Sequence, residues 1–402
     1  MAAVGLTRSS MEEKMKALTY VALALCLGTP AMAQTPGVTD TEIVLGAVLP
    51  MSGPASFPGL GASAGSRLAI AEYNAKGGIH GRTVRMLVED DGYVPSRAYQ
   101  GLVKLADDGI LALVGTSGGG SLGAMLPVID EKKIPTMVST SVSNAAVEPV
   151  RPYVFMLGAD YEDMFFAQIK YISENDKPEG PYAVIAQDDD YGAHVEAGVM
   201  MAVEKLGLPS VPPVRFKRGQ KDFSAEILRL RSQGIGALAV GGVIAETPGV
   251  LKELAKLRMN IPTAHAHTGA IDMTARLSAP YNMAYYAADY VVPIASEAAA
   301  GFRELARQHL GEEEQKSLNR FSLTGYLGTK AVLAAAEACG RELTRDCLND
   351  NLKKIDALDS GGLSSPLDFT NDRNTAAREV QIVRVNPMEN TVEPLTGFVS
   401  YR

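Results

Sequence analysis

Gly115-Thr116-Ser117-Gly118-Gly119 follows the apolar run Leu111 to Val114 and precedes a helical pattern starting near Ser121. It formally matches G-x-S-x-G, the strand-to-helix turn that presents a nucleophilic serine in α/β hydrolases. That chemistry needs an acid and a downstream histidine to take the serine proton. Of the five histidines, His80, His194, His265, His267 and His309, only His265 and His267 could partner Ser117. No His-Gly-Gly oxyanion loop precedes the motif. The competing chemistry is anion binding: Gly118, Gly119 and Gly120 offer unhindered backbone amides at a helix start, where the helix dipole favours a carboxylate. Ser121 would add a hydroxyl. A second cluster, Ser139-Thr140-Ser141-Val142-Ser143-Asn144, follows the strand Pro135 to Val138 at the same sheet end, so Ser141 and Ser143 could complete the clamp. Taken alone, such a loop is an ordinary turn or cap.

Other chemistry-bearing groups read more plainly. His265-Ala266-His267 lacks the further Cys or His of a metal site, so packing or hydrogen bonding is its expected role, with His267 bordering a cleft. Asp188-Asp189-Asp190 lacks the twelve-residue calcium-loop pattern. Tyr281, Tyr285, Tyr286 and Tyr290 show the alternation of a half-exposed strand. No G-x-G-x-x-G follows the first strand, which leaves a nicotinamide enzyme unsupported. No cofactor and no metal are expected.

The elements that must position these groups alternate between strand and helix along the chain, the pattern of doubly wound α/β architecture. Strands are expected at 42–49, 82–89, 110–114, 135–138, 181–186, 211–216, 236–240, 262–265 and 284–292, with helices between them from 60–75 to 321–339. Strand character returns from Glu379 to Leu395. Breaks fall near Gly158 and Val292-Pro293, and no Pro/Gly/Ser-rich linker is present, so two lobes would be joined by short ordered crossings.

Lys16, the apolar run Leu18 to Leu27 and Ala31-Met32-Ala33 read as a secretory signal over residues 1–33. Its apolar part is too short to span a bilayer, which takes about 20 residues. Cys26 within it lacks the small preceding residue of a lipoprotein signal. The remaining 369 residues (402 − 33) exceed one typical core. The formal charge of −8 becomes −9 when Arg8, Lys14, Lys16, Glu12 and Glu13 are removed, leaving no basic face for nucleic acid. Cys339 and Cys347 remain. Along one helix they would lie about 12 Å apart, too far to bond. Gly340 as a helix end and Thr344 as the next N-cap would fold the chain back and allow a disulfide; two unlinked thiols are the alternative.

The segments Leu49–Pro54, Ala71–Gly81, Asp90-Asp91, Gly115–Ser121, Ile134–Asn144, Asp190-Tyr191-Gly192 and Lys221-Asp222-Phe223, in this order, resemble the type I periplasmic solute-binding proteins of ABC importers, in the branched-chain amino-acid class. The resemblance implies two doubly wound lobes joined by a three-crossing hinge, lobe I being residues 40–157 and 293–378 and lobe II residues 158–292 and 379–402. It implies a periplasmic monomer that binds a small carboxylate and delivers it to an inner-membrane ABC permease. By the family pattern Gly119, Ser141 and Ser143, with Gly118 and Ser121 beside them, fall where the ligand's carboxylate and ammonium are held; Tyr191 falls where a lobe II aromatic closes over it, and Phe57 near an aromatic of the first loop. Two positions depart. Thr268 stands where the amino-acid binders place a carboxylate for the ammonium, and Val243 at a neighbouring aromatic position. Asp160, Asp190 or Glu246 would have to replace the missing acid; otherwise the ligand is a carboxylate without an amine, an aromatic acid or a small amide. Two other functions compete: a secreted serine hydrolase using Ser117, and a periplasmic sensor of the same fold.

Overall fold

A computed structural model describes residues 35–53, 55–142, 146–376 and 379–400; the expected signal peptide, Cys26 and Ser143 lie outside the described residues. Ile43 to Leu49 are all buried, so β1 (Glu42–Leu49) is covered on both faces, as a parallel strand between helical layers must be. It pairs in parallel with β2 (Thr83–Asp90). On its other side the extended segment 110–114 takes the place of the expected strand: Val114 donates to the Gly46 carbonyl and Met137 to the Leu113 carbonyl. That segment joins β1 to β3 (Thr136–Val138), which pairs in parallel with β4 (Val154–Met156). Thr375 then bridges to Met156 in parallel. Helices α1 (Ser56–Ala75), α2 (Pro95–Asp108) and α3 (Gly119–Lys132) belong to this first sheet.

The second sheet has eight strands, β5 (Tyr182–Gln187), β6 (Val214–Phe216), β7 (Ala237–Gly241), β8 (Thr263–His265), β9 (Tyr285–Asp289), β10 (Glu379–Asn386), β11 (Thr391–Pro394) and β12 (Val399–Ser400). Its order is β11-β10-β9-β8-β7-β5-β6, with β12 also on β10. Strands β5 to β9 pair in parallel; β10 and β11 are antiparallel. Around it lie α4 (Tyr161–Asn175), α5 (Asp190–Leu206), α6 (Ser224–Ser232), α7 (Glu246–Lys256) and α8 (Asp272–Ser278). The chain then continues through α9 (Ala300–His309) and α10 (Glu312–Lys316) to α11 (Arg320–Ala338), which packs along α1 and against β3, and α12 (Arg345–Leu352). The result is an α/β molecule of two sheets, each with its own helices. Among the described residues, no helix is long and apolar enough to cross a membrane.

Close helix packing explains two glycines. A Cβ on Gly65 of α1 would lie 1.9 Å from the Ser322 carbonyl oxygen, and one on Gly325 of α11 would lie 2.3 Å from that of Ala62. Only hydrogen at both positions lets the two backbones approach this closely. Beyond α11, Cys339 and Cys347 form a disulfide with Cα atoms 6.0 Å apart. The chain reverses as the sequence implied: Gly340 is left-handed at φ +66°, and the Thr344 hydroxyl accepts from the Cys347 amide to cap α12.

Candidate functional site

The first sheet ends in three loops that meet. After β1, the Met51 amide (2.9 Å) and the Ser52 hydroxyl donate to the Asp90 carboxylate at the end of β2. The Ser52 hydroxyl first, then the amides of Gly92 and Met51, hold the Asp90 carboxyl down at about 2 against the opposing effect of burial, so it stays ionised and anchors the loop. Next, the fully buried Asp91 accepts from the Tyr93 amide (2.9 Å) and from the Ser121 hydroxyl (2.9 Å). Ser121 is thereby tied to its support and does not offer its proton to a guest. Tyr93 is fixed at φ +65°, a left-handed conformation costly for a tyrosine. Its hydroxyl rests against Gly118: a Cβ there would lie 2.6 Å from it.

Gly118 is extended and precedes the first turn of α3, with no side chain capping its amides. Behind it, Thr140 donates to the Thr116 carbonyl, and the Ser141 hydroxyl reaches the Ser117 carbonyl at 3.5 Å. These bonds fasten the two polar loops together. The hydroxyls of Thr116 and Ser117 are buried and without a hydrogen-bond partner among the described residues. Ser117 is 1% exposed and no histidine bonds to it. Nor does it hold the left-handed backbone that marks other strained positions of the chain. The geometry of an activated serine is missing, and a cradle of amides and hydroxyls stands in its place.

The second sheet contributes aromatic rings. Tyr161, at the start of α4, hydrogen-bonds the Val142 backbone of the first sheet's loop and meets Tyr191 edge-on at 4.7 Å. Tyr191 donates to the Gly242 carbonyl at 3.1 Å, which fixes its ring after β7. Burial pushes both phenols upward, so they are neutral donors at any physiological pH; Tyr93 is near enough to act on both. His267 stacks on Tyr161, with centroids 5.8 Å apart and planes 12° from parallel. Burial first, then Arg320, keep His267 well below the ordinary histidine range, hence neutral.

The acids expected to replace the missing carboxylate are largely occupied. Asp160 caps α4 by accepting from the Asp163 amide (2.8 Å), and its other oxygen accepts from Arg373 at 2.8 Å. Glu246 accepts from the Gly219 (2.9 Å) and Val243 (3.2 Å) amides. Asp190 is exposed at the start of α5. Thr268, in the turn after β8, has a buried hydroxyl without a hydrogen-bond partner among the described residues. Val243 is half-buried in the loop that supports Tyr191, and Phe57 is half-buried in the first turn of α1, its carbonyl accepting from Asn319. Among the described residues no cluster of three metal-binding side chains occurs.

A family model described as Periplasmic binding protein matches residues 42–391. The chain belongs to the periplasmic binding protein family. Over 246 residues it is 28% identical to the Leu/Ile/Val-binding protein of Escherichia coli (strain K12), covering 60% of this chain and 64% of that one. It is 30% identical over 243 residues to the Leucine-specific-binding protein of Salmonella typhimurium, covering 60% and 63%. This periplasmic binding protein thus matches a little under two thirds of the length of these relatives. Among solved structures it resembles a fatty acid ABC transporter substrate-binding protein from Thermomonospora curvata (TM-score 0.79, 20% identity, 91% and 94% covered). It also resembles a branched chain amino acid ABC transporter from Thermus thermophilus with bound valine (TM-score 0.77, 18% identity, 90% and 97% covered). At such identities the likeness is one of fold, and that fold is the two-lobed α/β architecture the motifs implied.

Three members of the binding protein's candidate site have weak sequence signals. Tyr93 follows Asp91-Gly92, a turn signal that does not announce an aromatic contact. Tyr161 follows directly on Asp160 at the first break in the pattern, which was the available clue. Arg373 lies in an irregular polar stretch and gives none.

Proposed function

We propose that this protein is a periplasmic solute-binding receptor of an ABC importer, which closes lobe I (40–157 and 293–378) and lobe II (158–292 and 379–402) over a small carboxylate and presents it to an inner-membrane permease. The observation that carries this reading is the uncapped amide cradle at Gly118 and Gly119, with the unpartnered Ser117 hydroxyl beside it and the Tyr161–Tyr191 pair across from it. Charge-assisted bonds from amides and hydroxyls hold the carboxylate, with Ser141 on the adjoining loop; Ser143, which the family pattern adds, lies outside the described residues. The rings cover its apolar body. The periplasmic location rests on the family and on the signal read at residues 1–33.

The named relatives bind branched-chain amino acids, but the charges here favour an acid without an α-amino group. Asp160 already faces Arg373, Asp190 is exposed to solvent, Thr268 is uncharged, and the oxygens of Glu246, the buried acid acting on Tyr191, are already engaged by the Gly219 and Val243 amides. Burying an ammonium without a counter-charge costs several kcal/mol. A thermal-shift panel tests this. Benzoate, phenylacetate and branched 2-oxo acids are set against leucine, valine and benzamide. Ligand at a hundred times its Kd adds about 2.7 kcal/mol. An acid is expected to raise the melting temperature and leucine to leave it unchanged; a shift with leucine alone would restore the amino-acid reading.

A further inference from the structure

We propose that His267 and Thr268 form a second polar subsite in the cleft, which receives an uncharged hydroxyl or carbonyl group on the ligand, distal to its carboxylate. The inference rests on the reading of the protein as a receptor for a small acid, and it narrows the ligand to a hydroxylated aromatic acid or a close analogue. His267 is 1% exposed, and its Nδ1 has no hydrogen-bond partner among the described residues. Its neighbour in sequence shows the contrast: the equally buried His265 meets Thr247 with Nδ1 (3.4 Å) and Thr263 with Nε2 (3.2 Å). The Thr268 hydroxyl, adjacent to His267, is also buried and unpartnered. Buried polar atoms are nearly always satisfied, so two successive orphans on one turn call for a partner from outside the chain. The His267 ring is surrounded by the rings of Tyr161 (5.8 Å), Phe321 (6.1 Å) and Tyr290 (6.3 Å), which give the subsite an aromatic lining. Arg320 lies over Tyr290 and Phe321 but is held by both oxygens of Asp289, at 2.6 and 2.7 Å. Asp289 thus balances the Arg320 charge through Nε and Nη2, while Nη1 of Arg320, like the Tyr290 hydroxyl, is buried without a hydrogen-bond partner among the described residues, so the surroundings of His267 offer donors to a guest oxygen. Tyr161 connects the two ends, stacking on His267 while bonding the Val142 backbone next to Ser141.

The test is calorimetry of the mature protein with benzoate, 3-hydroxybenzoate and 4-hydroxybenzoate. Wild type is expected to bind one hydroxybenzoate at least about tenfold more tightly than benzoate. His267→Phe should bind benzoate and the hydroxybenzoate with equal affinity, losing the preference whatever its affinity for benzoate; His267→Gln, which keeps a hydrogen-bonding group, should retain part of the preference. A second readout needs no variant. With 15N-labelled imidazole, one Nδ1 resonance should move with the hydroxybenzoate and not with benzoate. Equal affinities in wild type, a preference that survives His267→Phe, or an imidazole resonance indifferent to the hydroxyl would overturn the subsite and leave the acid receptor standing. Wild type that binds none of these acids while binding leucine or benzamide would instead overturn the receptor reading.

Discussion

Tyr93 stands in a left-handed conformation that a tyrosine adopts only when its surroundings impose it, and here Asp91 does so through the Tyr93 amide. The same carboxylate holds Ser121, so one buried acid sets both the start of α3 and the ring lying against it. A side chain at Gly118 would collide with the Tyr93 hydroxyl. Because Tyr93 is 43% exposed, the ring can swing away, and the cost should fall on binding more than on folding. Gly118→Val is expected to weaken ligand binding at least about tenfold by calorimetry, equivalent to about 1.4 kcal/mol, with little change in melting temperature. Unaltered affinity would remove the amide cradle as the carboxylate's seat.

The contact between α1 and α11 is fixed by glycine rather than by large side chains. Gly65→Val would place atoms where the Ser322 carbonyl stands and force the helices apart, with an expected loss of about 1–3 kcal/mol in urea unfolding. Gly301, which faces open space in α9, is the control: Gly301→Ala should not destabilise. At this scale much of the molecule was legible. The 42–49 strand, the 161–174 helix and the Gly340–Thr344 reversal have strong local signals, namely continuous apolar runs, helical spacing and capping residues. The 110–114 segment, expected as a strand, is an extended run between β1 and β3 whose ladder consists only of isolated bridges. Three-residue β4 and five-residue α10 were not legible, because no period fits in so few residues. The site was legible where backbone carries it, at Gly118 and Gly119. It was not legible where distant segments meet: pairing of Asp160 with Arg373, which removes that acid from ligand duty, joins residues 213 positions apart.

Across the whole molecule, Asp289 at the end of β9 and Arg320 at the start of α11 form an ion pair in which each side chain is only 4% exposed. Burial opposes the guanidinium charge, but Asp289 and Tyr290 hold its pKa above the usual arginine value. The pair ties a strand of the second sheet to the helix that packs on the first. Asp289→Ala should cost about 3–5 kcal/mol, since an unpaired buried arginine remains, whereas Asp289→Leu combined with Arg320→Met should recover most of that in chemical denaturation. A small effect of Asp289→Ala would show that water enters the joint. A different consequence follows from β10, which lies between β9 and β11 although it is separated from β9 in the chain by all of α9 to α12. A partly folded second sheet would expose β9 as an unsatisfied edge until residues 379–386 pair with it. Its completion thus waits on a segment distant in the chain, and a chain truncated before residue 379 would be left with an adhesive rim.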